Sequence, residues 1–422
     1  MLLPQRRTRV KKRCLNPLWK EVFHFDEARP IVIEGGKVTS VDGSASLKGQ
    51  ELVLMVTVHD HDYLSPDDFS GKLVLPIVPG LSDRNDHDMF NLDGSPLIGK
   101  IGLQAQCRIQ ADYDMDPLLK NPITKIEVEK ASNHRFDVCA ASMQGWRTSM
   151  EDAHALVLNY EGKHDAFFAV FDGHGGGDVA EYASRHLHEN LRCTAEFKRG
   201  DYEEALIKAM YITDCMLLSD DGMRECAQIR GDPIEAVSEQ QMHIPSSGST
   251  AVACLVVGKD VYCANLGDSR AVVCRIEKGW PTVVPLSEDQ KPSNPEERDR
   301  VMAAGGTVEN DRIDGVLAVA RALGDAEFKM NEELPLSQQK VSSVPVVKKY
   351  TMKDGDEFLF LACDGIWDVY SSQQLVNKVH RCLQTMDLND TIKTLLNVTI
   401  SKHPSLNKGL GTDNMTCLIV DL

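Results

Sequence analysis

The segment FFAVFDGHGGG (167–177) runs an apolar stretch straight into a carboxylate, Asp172, and an imidazole, His174, set among glycines. Glycine there lets the backbone approach whatever those side chains hold. The pattern repeats. EFLFLA (357–362) ends in Cys363-Asp364-Gly365, with Asp368 shortly after. VYCAN (261–265) leads into Leu266-Gly267-Asp268-Ser269-Arg270, and Gly411-Thr412-Asp413-Asn414 stands directly before MTCLIV (415–420). Upstream, Arg147 lies near the acidic pair Glu151-Asp152. Hard divalent cations take oxygen ligands, and Mg²⁺ and Mn²⁺ take carboxylates plus waters. Carboxylates that converge without a cation repel one another. A two-metal site resolves that repulsion and also activates water. Turns are the plain alternative: DG and GG are ordinary punctuation, and GDSR (267–270) and RALGD (321–325) each read as turns when taken singly. Three other chemistries fail on spacing. There is no D-x-[DN]-x-[DN]-G calcium loop with a distal Glu, no G-x-S-x-G elbow and no P-loop.

Positioning those carboxylates requires strands that end together. Apolar runs of β character recur at 166–171, 250–257, 261–265, 271–274, 357–362 and 415–420. Helical spacing appears at 178–192, where apolar residues fall at 179, 182, 183, 187 and 191, and Asp178 is placed to cap that helix. Residues 203–218, 296–304 and 373–384 also read as helices, and 219–247 as a polar, irregular inserted loop. Strands beside strands and helices in pairs give an α+β class with helices packed outside sheets.

The first part of the chain differs. Residues 6–13, RRTRVKKR, are almost wholly basic, WKEVFHF (19–25) alternates, and LVLMVTV (52–58) and KLVLPIV (72–78) flank the acidic loop HDHDYLSPDDFSG. Residues 8–113 read as all-β with polar loops. Residues 114–133 carry two prolines and mixed charge and read as a linker, with the second domain at 134–422. The chain has 422 residues, 42% hydrophobic and 26% charged, which suits folded domains and excludes low-complexity or fibrous classes. Its net charge of −17 argues against whole-protein nucleic-acid binding. The 12 cysteines are scattered without CxxC pairs and fit reduced, buried thiols of a cytoplasmic protein. No window has the length of apolar sequence a spanning helix needs, no secretory leader is evident, and Leu2 excludes N-myristoylation.

From 134 onward the sequence resembles the metal-dependent Ser/Thr protein phosphatases of type 2C. The motifs are GWRTSMEDAH (145–154), FFAVFDGHGG (167–176), GSTAV (248–252), NLGDSR (265–270), KPSNPEERDRVMAAGGTV (291–308), GVLAVARALGD (315–325), CDGIWDV (363–369) and GTDNMT (411–416). The resemblance implies two antiparallel sheets face to face with helix pairs outside and metals at one end of the sandwich. It implies Mn²⁺ or Mg²⁺, two per site, with Asp172 bridging them. The Gly173 carbonyl and Glu151 then serve one cation, Asp364 and Asp413 the other, and Asp152 holds a metal-bound water. Arg147 binds the substrate phosphate, a task suited to guanidinium, and His174 is the general acid. Asp268 and Asp368 resemble a third metal site. A metal-bridging hydroxide attacks phosphorus in phosphoserine or phosphothreonine without a covalent phosphoenzyme. Ala320 and Leu266 depart from the commoner family residues without touching a ligand position, and residues 326–345 correspond to the variable flap.

Residues 8–113 resemble a C2-type domain through TRVKKRCLNPLWKEVFHF (8–25) and LVLMVTVHDHDYLSPDDFSGKLVLPI (52–77), giving a smaller β-sandwich. Asp60, Asp62 and Asp68 match its D-x-D-x5-D calcium loop. The family's first strands and first calcium loop have no counterpart upstream of residue 8, which leaves a half-set of Ca²⁺ ligands and points instead to an anionic lipid or protein partner. The basic run 6–13 reads as a solvated strand, a lipid contact or a nuclear signal, so peripheral-membrane and nuclear locations stand beside the cytoplasmic one. The alternative function is a non-catalytic phosphoprotein-binding scaffold targeted by the C2-like module; loss of Asp172, Asp364 or Asp413 would have favoured it, and none is lost.

Overall fold

A computed structural model describes residues 118–162, 165–232, 246–404 and 409–422 in full, and the backbone of strands between Ile31 and Gln106. The chain forms two units, Met1–Asp114 and Met115–Leu422.

In the first unit, β1 (Ile31–Glu34) pairs with β2 (Lys37–Ser40). Then come β3 (Val53–Asp60), β4 (Asp68–Pro76), β5 (Ser82–Asp83), β6 (Asp86–Phe90), β7 (Pro96–Gly102) and β8 (Ala105–Gln106). Strands β3-β4-β6-β7 form an antiparallel sheet and β5 pairs with β8, so the described elements are all strands, as the alternating runs predict. Asp60 and Asp68 are register partners where β3 gives way to β4. Asp62 and the side chains of all three expected calcium ligands lie outside the described residues.

The second unit begins with β9 (Ile123–Ser132), β10 (Asp137–Gly145), β11 (Ala153–Leu158), β12 (Ala166–Phe171) and the short β13 (Gly173–His174). Four helices follow: α1 (Asp178–Cys193), α2 (Ala195–Lys198), α3 (Tyr202–Leu217) and α4 (Asp220–Arg230). Next are β14 (Gly248–Ser249), β15 (Ala251–Val257), β16 (Asp260–Leu266), β17 (Arg270–Glu277), β18 (Trp280–Pro285) and α5 (Pro295–Ala303). Before the flap come the short β19 (Val308–Glu309), β20 (Arg312–Ile313) and β21 (Leu323–Gly324). The chain closes with β22 (Val346–Thr351), β23 (Asp356–Ala362), α6 (Asp364–Trp367), α7 (Ser372–Leu383), α8 (Leu388–Thr399) and β24 (Met415–Asp421).

Two antiparallel sheets result, ordered β18-β17-β23-β24-β10-β9 and β11-β12-β15-β16-β22. Because side chains alternate along a strand, each sheet offers two faces. Phe168 and Val170 of β12 meet Leu359, Leu361, Leu418 and Val420 in the core between the sheets. Phe167, Ala169 and Phe171 point the other way, into Tyr182, Leu187, Leu206 and Met210 of α1 and α3. Phe358 and Phe360 of β23 likewise turn outward to Leu375, Val376 and Leu396 of α7 and α8. Burial on both faces explains why AFFAVF (166–171) and FLFLA (358–362) read as unbroken apolar runs. The helices expected at 178–192, 203–218, 296–304 and 373–384 form within a residue of those starts, whereas α8 was not foreseen; Ser371 and Gln374 make a reciprocal capping box on α7.

Some expectations need correction. The segment 114–133 is not only a linker, since β9 pairs along the length of β10 and packs Ile126 and Val128 onto the sheet–helix core. Its exposed charges, alternating with those residues, mimic linker composition. Residues 219–247 are not all loop: α4 forms, capped by Ser219 and stopped by Gly231 in a left-handed conformation. Asp178 does not cap α1. It is the helix's first residue after Gly177, and its buried carboxylate accepts instead from Arg230 (2.5 Å) and Ser247 (3.1 Å).

Candidate metal centre and phosphate site

The strand ends converge as predicted. Asp172 follows β12, Asp364 opens α6 directly after β23 and Cys363, and Asp413 precedes β24. Oxygens of Asp152 and Asp172 and the Cys363 sulfur lie within 4.8 Å of one another. Burial, compounded by the charges of Asp364, Asp152, Asp413 and Asp268, drives the Asp172 carboxyl well above the ordinary carboxylate range. Asp364 is raised in the same way, by burial and then by Asp268, Asp413 and Asp368. Burial pushes Asp152 up to about 7, with the Thr416 hydroxyl, the Cys363 thiol and Arg147 only partly offsetting it. Both Asp152 oxygens are shut off from solvent and lack a hydrogen bond of good geometry. Mutually repelling acids of this kind, with Asp152 unsatisfied, fit a divalent cation.

Glu151 is fixed on the same rim. Its carboxylate accepts from the Ser149 hydroxyl (2.8 Å) and the Gly176 amide (3.2 Å). Asn414 stitches this corner together, accepting from the Glu151 amide (2.8 Å) and donating to the Gln144 and Ser149 carbonyls. Gly173 admits no side chain, because a Cβ would overlap the Glu151 carbonyl oxygen. The strand end and the acidic pair therefore approach only through glycine. Arg147 reaches into the centre, with Nη2 donating to Asp413 at 2.6 Å. Asp268 is buried and pushed up to about 6 by burial, with Lys291 opposing. Asp368 sits exposed at the rim. Lys291 places Nζ 3.7 Å from Asp268, so an in-chain cation faces this second acidic group.

His174 belongs to a second small assembly. Strands β13, β14 and β21 form a three-stranded sheet in which His174 faces Gly248 and Gly248 faces Gly324. The next residue, Asp325, turns back in a left-handed conformation (φ 48°) and sets its carboxylate 2.8 and 2.9 Å from His174 Nε2. Asp325 is only 2% exposed, and a Cβ on Gly248 would overlap that carboxylate. Burial alone lowers the His174 imidazolium, but the charge and hydrogen bond of Asp325, with Asp268 and Glu151 adding, leave it raised. Below this turn, Lys329 and Asp214 form a buried ion pair at 2.9 Å, and Asp214 also accepts from the Gly324 amide at 2.8 Å.

The structure thus brings Arg147, Glu151, Asp152, Asp172, Gly173, His174, Asp268, Asp364 and Asp413 to one end of the sandwich, with Asp368 on its edge. Sequence reading missed Asp325, Asn414 and Lys291. The signal for Asp325 was present: LGD in RALGD repeats the LGD of NLGDSR, a carboxylate behind a glycine at a strand end.

Residues 136–404 match the family "Protein phosphatase 2C", and residues 3–92 match the C2 domain. The chain is 37% identical over 307 residues to probable protein phosphatase 2C 6 of Paramecium tetraurelia, covering 72% of this chain and 99% of that protein. It is 39% identical over 313 residues to protein phosphatase 2C homolog 2 of Schizosaccharomyces pombe, covering 72% and 78%. The fold is similar to the crystal structure of serine-threonine phosphatase 2C from Toxoplasma gondii, with a TM-score of 0.55 and 21% identity over 70% of this chain and 99% of that one. The chain belongs to the protein phosphatase 2C family. It is a protein serine/threonine phosphatase of a metal-dependent family, with an N-terminal C2 module.

Proposed function

We propose that the protein hydrolyses phosphoserine and phosphothreonine in protein substrates with two Mn²⁺ or Mg²⁺ ions at the strand-end carboxylates. The observation that carries this reading is the convergence of Asp152, Asp172 and Asp364, raised and repelling, with Asp413, beside Arg147 and His174. Asp172 would lie between the cations, with the Gly173 carbonyl and Glu151 on one side, Asp364 and Asp413 on the other, and Asp152 orienting water. When bound, the cations supply Lewis acidity toward water and the phosphoryl oxygens. Arg147 holds the phosphate by a charge-assisted fork, and its bond to Asp413 keeps the guanidinium aimed at the centre. His174, kept protonated by Asp325, gives its proton to the departing serine or threonine oxygen. Asp268 and Asp368 form a weaker third acidic position that Lys291 already faces.

The flap at 326–345 selects substrates, and the C2 module addresses the enzyme to an anionic lipid surface or a protein, with Asp60, Asp62 and Asp68 as its calcium half-set. A cytoplasmic location with peripheral membrane contact suits that division of labour. The test is inorganic phosphate release from a phosphothreonine peptide with EDTA, Mn²⁺, Mg²⁺ or Ca²⁺. Turnover that needs Mn²⁺ or Mg²⁺ and is lost in Asp172→Asn supports the reading. Folded protein that is silent with every metal overturns it in favour of the scaffold.

A further inference from the structure

A second cluster of chemically active side chains lies away from the catalytic carboxylates. Cys274 of β17 is buried among the apolar residues beneath α7 and α8. Its register partner is Phe358, yet the next residue, Arg275, pairs with Asp356, so Glu357 is the extra residue of a β-bulge. A bulge re-aims a side chain out of the strict alternation. His380, in the last turn of α7, places Nδ1 2.6 Å from Glu357 Oε2. One donor atom from each of Cys274, Glu357 and His380 lies within 4.8 Å of the others. Three separate elements, β17, β23 and α7, therefore present a sulfur, an oxygen and a nitrogen to one point.

That donor set differs in kind from the catalytic one. Carboxylates suit hard cations, whereas a thiolate with imidazole and one carboxylate suits a borderline-soft ion. The burial is graded: Cys274 is fully enclosed, while His380 and Glu357 are 22% and 36% exposed, leaving an approach from solvent. Burial, then the charges of Glu357 and Asp356, pushes the Cys274 thiol up to about 12, so it is neutral when the cluster holds only protons. Coordination removes the thiol proton to solvent, and a cation takes the place of the His380–Glu357 hydrogen bond. Glu357 stands five residues before Ala362, about 16 Å along β23 from the catalytic end at ~3.3 Å per residue.

We propose that Cys274, Glu357 and His380 bind one borderline-soft divalent cation of the Zn²⁺ class, which clamps α7 to the sheet without entering the reaction. The full-length protein, stripped with EDTA and returned to excess Mg²⁺, is titrated with Co²⁺ while thiolate-to-metal absorption and the thermal midpoint are followed. The expected result is one equivalent of Co²⁺ with a thiolate band, displaced by Zn²⁺, and a raised midpoint. Cys274→Ser should abolish the band, and His380→Gln, at a partly exposed position, should weaken binding at least ~10-fold. Asp172→Asn should leave both intact, which separates this site from the catalytic reading. No thiolate band in the wild type, or a band and affinity unchanged in both Cys274→Ser and His380→Gln, overturns the proposal.

Discussion

Asp325 holds the Nε2 atom of His174 between both of its carboxylate oxygens, at 2.8 and 2.9 Å, from a backbone conformation that few residues other than glycine adopt. A non-glycine residue in that region, buried against a histidine, marks a position the surroundings enforce. The carboxylate opposes the effect of burial and leaves the imidazolium pKa raised, the direction the proposed general-acid role needs.

Asp325→Asn removes the negative partner and so lowers the His174 pKa. The alkaline limb of the kcat profile should then move to lower pH, because the proton is lost sooner. Turnover of a phosphothreonine peptide should fall ~100-fold, within the usual range for a general acid. p-Nitrophenyl phosphate, whose leaving group departs without a proton, should lose far less. His174→Gln should show the same split, and equal losses on both substrates would contradict the acid role.

Gly248→Ala should reproduce much of that phenotype without touching either partner. The new methyl group overlaps the Asp325 carboxylate and displaces it from His174. A displacement of ~1 Å at such a pair costs up to ~100-fold. Unchanged leaving-group discrimination in a folded variant would show that the pair tolerates the shift.

Cation-free protein should lose stability as pH rises. An unfolded aspartate releases its proton near ~4, whereas Asp152 holds its proton to about 7 and Asp172 and Asp364 hold theirs well above the ordinary range. The folded state thus binds more protons than the unfolded chain between those values, and unfolding becomes easier with increasing pH. Cations replace those protons, so the thermal midpoint gained on adding Mn²⁺ should be larger at pH 8 than at pH 6, by at least ~3 °C. Scanning calorimetry in EDTA and in Mn²⁺ at both values measures it; a gain that shrinks with pH would contradict the carboxylate cluster as the binding site.

Lys329→Met should destabilise the second unit by about 3–5 kcal/mol, because Asp214 is left charged and enclosed. Both side chains of this pair are under 5% exposed. Asp214→Asn on top of Lys329→Met should recover part of the loss, since the amide oxygen can still accept from the Gly324 amide. Urea unfolding of the two variants decides it; a double variant no more stable than the single one would show that the pair is not the source.

The carboxylate-bearing end was legible because its strands are buried on both faces. In AFFAVF (166–171) and FLFLA (358–362) every residue is apolar, so Asp172 and Asp364 stand out as residues that such strands do not otherwise end in. Asp325 was hidden because its strand, Leu323–Gly324, has only two residues, and LGD looks like any turn. Strand β9 was hidden for the opposite reason: only one of its faces is covered, and Lys125, Glu127 and Glu129 give it the composition of a linker. Helix α4 opens with DDGMRE, whose polarity masks the few residues it buries, Cys226 and Ala227 among them. No periodicity marks Cys274, Glu357 and His380 as neighbours, since a bulge rather than a repeat brings them together.

The pairing of β9 with β10 decides where this protein can be cut. A fragment starting at 134, where the familiar motifs are about to begin, would strip the partner from a nine-residue strand and leave its amides and carbonyls bare. Such a margin recruits strands from other molecules. The same strand leads through Gly145 to Arg147, so a fraying edge would reach, within two residues, the arginine proposed to hold the phosphate. A fragment beginning at Met115 keeps its own selvedge and should stay monodisperse where the shorter one precipitates.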